Sequence, residues 1–186
     1  AAGTGHFDLA VQLGHRGIVA PRSTIQAMEG HWRTLRVATY NIHRCRGLDG
    51  RTMPERTANV IQSLEADVVA LQEVIGAGPR DGGHAEELGA LLGMGWVLAP
   101  ARHLRGHQFG NAVLSRFPIV EHLEHDLSWK TCEPRRLQRV DVSVHGCTLH
   151  VYNVHLGTAI LERRHQAKRL ATIVGDRHVG GPKIVL

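Results

Sequence analysis

Apolar residues along this chain recur in two rhythms, every second position in some stretches and every third or fourth in others. The exchange between the two predicts an α/β protein. Leu35 to His43 is a β-branched, alternating run closed by the turn signals Gly47 and Asp49-Gly50, and reads as a strand. Pro54 suits a first helical turn, and Ala58, Val60, Ile61 and Leu64 follow at helical spacing. Asp67 to Val74 is almost continuously apolar until Gln72 and Glu73, the pattern of a strand covered on both faces. Glycines from Gly76 to Gly83 mark a loop, His84 to Leu92 a helix, and Gly95 to Ala99 a further strand. Asn111 to Ser115, Leu137 to Val144 and Thr148 to Leu156 also read as strands, the last two as an antiparallel hairpin about His145-Gly146. Ile160 to Val174 predicts an amphipathic helix with Leu161, Leu170, Ile173 and Val174 on one face. Gly180-Gly181-Pro182 then turns into a buried strand over Lys183 to Leu186. Residues 1–32, with scattered glycines and no sustained period, read as an irregular arm with one short helix near Ser23 to Met28; residues 33–186 read as a single domain.

Composition changes this picture little. No apolar run is long enough to span a membrane, and the N-terminal residues lack the pattern of a secretory signal. The three cysteines are far apart and show no CxxC spacing, so a reducing, cytoplasmic setting is expected. A formal net charge of +5 favours anionic partners. Only 4% of residues are aromatic, which leaves no stacking pattern for single-stranded nucleic acid.

Chemistry concentrates at three strand ends: Asn41 with His43, Gln72 with Glu73, and Asn153 with His155. Ligands of open α/β sheets bind at such ends. A carboxylate beside an amide makes a hard-oxygen site, and Mg²⁺ is commonly held by only one or two carboxylates, with water and phosphate completing its shell. From the residues alone, plainer roles stay open. Glu73 can end a strand facing water, Asn41 can be a turn residue, His155 a satisfied core histidine, His43 a solvated side chain, and Glu133 to Arg136 a solvated loop.

The motifs themselves resemble the endonuclease/exonuclease/phosphatase superfamily. Thr39-Tyr40-Asn41-Ile42-His43 and Ala66 to Val74, which contains Leu71-Gln72-Glu73-Val74, are similar to its opening pair of elements. Gly110 to Ile119 resembles its central strand, Glu133-Pro134-Arg135 its acidic-arginine element, Asn153-Val154-His155-Leu156 its Asn-x-His-Leu strand end, and Arg163 to Gln166 the helix that follows. The resemblance implies a DNase I-like, four-layered α/β sandwich, two mixed sheets face to face with helices outside. It implies hydrolysis of a phosphoester by metal-assisted attack of water. Glu73, Asn41 and His155 are then the catalytic residues, Glu73 and Asn41 hold Mg²⁺ with Mn²⁺ as the alternative ion, and Asn111, Arg135, His43 and Asn153 bind substrate phosphate. The implied substrate is a small, lipid-like or nucleic-acid phosphoester.

By the same resemblance, Pro182 to Leu186 should lead into a Gly-Asp-Phe-Asn element, with a Ser-Asp-His element further on. The 186 residues contain neither. The expectation is a C-terminally truncated sandwich, inactive or weakly active, that self-associates through its incomplete sheet. A non-catalytic phosphate- or nucleic-acid-binding module of the same fold is the alternative. A nucleotide-binding α/β fold would need a glycine-rich phosphate loop, and the chain has none.

Overall fold

The computed structural model describes residues 8–14, 34–79 and 81–186, with the backbone alone described for 8–14. In chain order the elements are β1 (Asp8–Gly14), β2 (Thr34–Asn41), α1 (Pro54–Ser63), β3 (Val68–Ile75), α2 (Gly83–Leu92), β4 (Gly95–Leu104), β5 (His107–Ser115), β6 (Ile119–Asp126), β7 (Arg136–Val144), β8 (Cys147–Val154), α3 (Ile160–Val174) and β9 (Lys183–Val185). The first sheet runs β1-β2-β3-β5-β4 and the second β6-β7-β8-β9. Both are mixed. β1, β2 and β3 are parallel while β5 is antiparallel to β3 and β4, and β9 joins an otherwise antiparallel second sheet as a parallel strand.

Alternation along the strands generates the layers. Val68 and Ala70 of β3 join Leu35, Val37, Val113, Val140 and Val151 in an apolar layer between the sheets. Val69 and Leu71 point the other way and pack with Ala58 and Ile61 of α1 and Ala85 and Leu88 of α2. Leu137 and Tyr152 meet Leu170, Ile173 and Val174 of α3 on the far side of the second sheet. The result is the expected four-layered α/β sandwich. No helix among the described residues is long and apolar enough to cross a membrane.

Several expectations need correction. Asp8–Gly14, placed in an irregular arm, is a strand alongside β2; the helix expected near Ser23 to Met28 lies outside the described residues. β4 and β5 extend to Leu104 and back to His107, beyond the apolar runs that announced them. β6 carries Glu121, His122, Glu124 and His125, and its polar edge-strand face concealed it. Leu161 is 65% exposed, and the residues that α3 buries near its start are Glu162 and Gln166.

Candidate active site

The inter-sheet faces of β2, β3, β5 and β8 turn polar at one end of the sandwich. Leu35 and Val37 lie in the inter-sheet layer, and the alternation carries Thr39 and Asn41 to the same side. On β3, Val68 and Ala70 lead to Gln72 in the same way. A β-bulge follows, with the register shifting between Leu71 and Val74. Val74 rather than Glu73 therefore continues the helix-facing row of Val69 and Leu71. Glu73, at φ +56°, is turned out of that row. Bulges re-aim side chains in this manner beside functional sites.

The bulge delivers Glu73 to Asn41, whose Nδ2 donates to Glu73 Oε1 at 2.9 Å. The Asn41 amide is oriented in turn, because its Oδ1 accepts the His43 backbone N–H at 3.0 Å. Asn41, expected as a second metal ligand, here hydrogen-bonds the carboxylate expected as the first. His43 stands at the mouth with Nε2 3.9 Å from Glu73 Oε2. The Glu73 side chain is 20% exposed.

Beneath this pair lies a buried amide network joining the two sheets. Gln72 Nε2 donates to Thr39 Oγ1 at 3.0 Å and to Asn153 Oδ1 at 2.8 Å. Asn153 Nδ2 lies within hydrogen-bonding distance of the Leu71 and Ala112 carbonyls and of Gln138 Oε1. Asn153, read as a phosphate ligand, is fully buried with both ends of its amide hydrogen-bonded. Asn111, also read as a phosphate ligand, is buried and donates from Nδ2 to the Arg136 carbonyl at 3.1 Å, tying β5 to the start of β7.

His155 follows β8 on the inter-sheet side. Burial chiefly, and the Arg135 charge next, push its pKa below the ordinary 6.5, against the opposing pull of Glu73 and Glu133. The charges of Arg135, Glu73 and Glu133 are all felt at this one imidazole. Arg135 Nη2 donates to Glu133 Oε2 at 2.8 Å, and its buried Nε has no partner. Arg102 Nε donates to the other Glu133 oxygen at 2.7 Å. Glu133, Arg102, Gln72 and Gln138 were absent from the sequence-derived site. Gln72 was visible as a strand-end polar residue; Arg102 and Gln138 gave no local signal, because their roles depend on partners in other strands.

The donor set fits a hard divalent cation. One carboxylate oxygen of Glu73 is pinned and the other, among the described residues, has only His43 Nε2 at 3.9 Å, as suits an ion that keeps most of its shell for water and phosphate. Among the described residues no cluster of three or more His, Cys, Asp or Glu is arranged to hold a metal.

Comparison with known proteins gives this geometry a setting. Residues 38–181 match the model of the Endonuclease/Exonuclease/phosphatase family. The protein YbhP of Escherichia coli K12 is 31% identical over 165 residues, which cover 82% of this chain and 65% of that protein. The crystal structure of an endonuclease/exonuclease/phosphatase from Beutenbergia cavernae superimposes with a TM-score of 0.63 at 30% identity, over 81% of this chain and 46% of that one. TDP2 from Caenorhabditis elegans shares the fold, with a TM-score of 0.55 at 19% identity over 76% of this chain and 41% of its own. The chain thus spans less than two thirds of the length of these relatives.

Proposed function

Because the chain belongs to the endonuclease/exonuclease/phosphatase family, we propose that Glu73 is the cation-holding carboxylate of a Mg²⁺-dependent centre that hydrolyses phosphoester bonds, with Mn²⁺ as the alternative ion. Members of the family are generally metal-dependent phosphoester hydrolases. One observation carries the reading for this chain: Glu73 is turned out of its strand by a bulge and clamped through one oxygen by Asn41, while among the described residues the other has only His43 nearby, 3.9 Å away.

A divalent cation bound there supplies neutralisation of a phosphoryl oxygen as charge develops. The protein supplies the rest. Asn41 fixes the carboxylate. His155, kept largely neutral at pH 7 by its burial, donates a hydrogen bond to a phosphoryl oxygen without adding a positive charge that would repel the ion. Arg135, with Nε unpartnered, meets an equatorial oxygen of the same group. His43 contacts the phosphate at the mouth, and Asn111 and Asn153 act indirectly by fixing the strands. The substrate is a small or lipid-like phosphodiester, in keeping with the few aromatic residues. The free cysteines fit a reducing cytoplasm.

The test is a thermal melt with and without Mg²⁺ or Mn²⁺, in the wild-type protein and in Glu73→Gln. The metal should raise Tm in the former and leave the latter unmoved. An equal shift in both proteins, or none in either, overturns the assignment.

A further inference from the structure

Beside the Glu73 site lies a second concavity that the reading above leaves unused. It has a volume of about 670 Å³, within the range of small-molecule sites, and Arg44, Arg46, His84, Arg105 and His107 are among its lining residues. Two of the lining residues each hold a buried nitrogen without a hydrogen-bond partner, Arg44 Nε and His84 Nδ1. Among the described residues, none of the three arginines has a carboxylate within ion-pairing distance. The acidic residues of the lining are Asp81, Glu86 and Glu87, and Asp81 is drawn to His107, 3.3 Å away. α2 begins at the wall, at Gly82-Gly83, without a side-chain cap, and the Glu86 carboxylate of its first turn lies against Gly82 and offsets the positive end of its dipole.

The concavity adjoins the proposed centre. Arg44 Nη2 is 3.5 Å from His43 Nε2, which is 3.9 Å from Glu73 Oε2. Ile75, two residues beyond Glu73 on β3, is part of the wall.

We propose that this concavity is a subsite for a second phosphate group on the substrate, so that the preferred substrates carry a phosphate monoester or diphosphate arm beside the phosphoester that is cut. Arginine forks match the paired oxygens of such a group, and a dianion is held better than a monoanion by several converging cations. The proposal rests on Glu73 marking the position of the scissile bond. The arm can belong to a soluble molecule or to a lipid headgroup; the recognising chemistry is the same.

The experiment titrates inorganic phosphate into the protein in the presence of a chelator and follows heat and Tm. Phosphate should bind, and should bind Glu73→Gln as well, since the subsite does not use that carboxylate. Arg46→Gln and Arg105→Gln should each weaken binding about tenfold or more, and Arg177→Gln, at an exposed position outside the lining, should not. Arg46 and Arg105 are exposed, and melts without phosphate check that the variants fold. A parallel arm sediments the protein with phosphatidylcholine vesicles with and without phosphatidic acid. Arginine-dependent binding of inorganic phosphate assigns a soluble arm. Arginine-dependent sedimentation on phosphatidic acid without binding of free phosphate assigns a headgroup. Binding to neither probe, or binding that survives both arginine substitutions, overturns the subsite. Phosphate binding in a protein whose Tm ignores Mg²⁺ and Mn²⁺ would instead sink the hydrolase reading and leave the subsite standing.

Discussion

Glu73 holds its backbone at φ +56°, a conformation that costs a residue with a Cβ about 1 to 2 kcal/mol. Strain of this kind persists where surrounding structure over-determines it, and it gathers at functional sites. Here the parallel pairing of β2 with β3 on one side and the antiparallel pairing of β5 on the other fix the bulge between them. Asn41 then holds the carboxylate that the bulge presents. Asn41→Ala removes that hydrogen bond but little packing, since the residue is only partly buried. It should lower divalent-metal affinity about ten- to hundredfold while moving the metal-free Tm little. Calorimetric titration with Mn²⁺ beside a metal-free melt reads both, and unchanged affinity would show that the clamp is not needed. The residue types at this site were legible in the sequence. The bulge was not, because it depends on the registers of two neighbouring strands.

At the scale of elements, what the sequence disclosed follows from how completely each face is covered. β3 was legible because both its faces are buried, which forces a nearly unbroken apolar run. The β7–β8 hairpin was legible because His145 and Gly146 both take positive φ, 49° and 85°, as a tight two-residue turn requires. The extent of α3 was plain from its period, but its buried face was misjudged at the first turns. There Gln166 accepts the Gly157 N–H at 2.8 Å and donates to Glu162, so polar side chains go inward to hold the loop after His155. Gly110 gave no warning either. A Cβ at this position would run into the Ala99 carbonyl of the adjacent strand. Gly110→Ala should therefore cost at least about 2 kcal/mol, read from the midpoint of urea unfolding, and a variant as stable as wild type would contradict the tight pairing of β4 with β5.

For the whole molecule, half-buried histidines set the response to acid. His84, His122, His125 and His155 all have pKa values below the ordinary 6.5, with burial the first cause in each. Below pH 6.5 the unfolded chain takes up protons that the folded chain resists, so stability falls as the pH drops through that window. Asp126 and Asp141 are shifted the other way. Hydrogen bonds from Ser128 hold Asp126 low, and at Asp141 the bonds from Arg139 and His150 outweigh a desolvation that acts upward. Their contribution is lost only on further acidification, below 3.8. Melts should show Tm declining from pH 7 to pH 5, with a shallower decline in His84→Gln and His122→Gln together; a flat profile would deny the histidines this role. The sheet edges lead to a second expectation. β9 is three residues long at the border of the second sheet, and Val185 is 43% exposed. Pairing through that edge should make a polypeptide of these residues associate with itself. Light scattering after size exclusion should then give a mass that grows with concentration, and a monomer throughout would refute it.

The amide of Asn153 gives the proposed centre a mechanical property. Glu73 and Asn41 are carried by one sheet and His155 by the other, and Asn153 and Gln72 form a rivet directly under the seam. Pulling the rivet leaves each half intact while freeing it to slide against its counterpart. Asn153→Ala should therefore misalign the halves more than it dismantles them: affinity for Mn²⁺, which depends on one half alone, should survive in protein that has lost about 2 to 4 kcal/mol of stability.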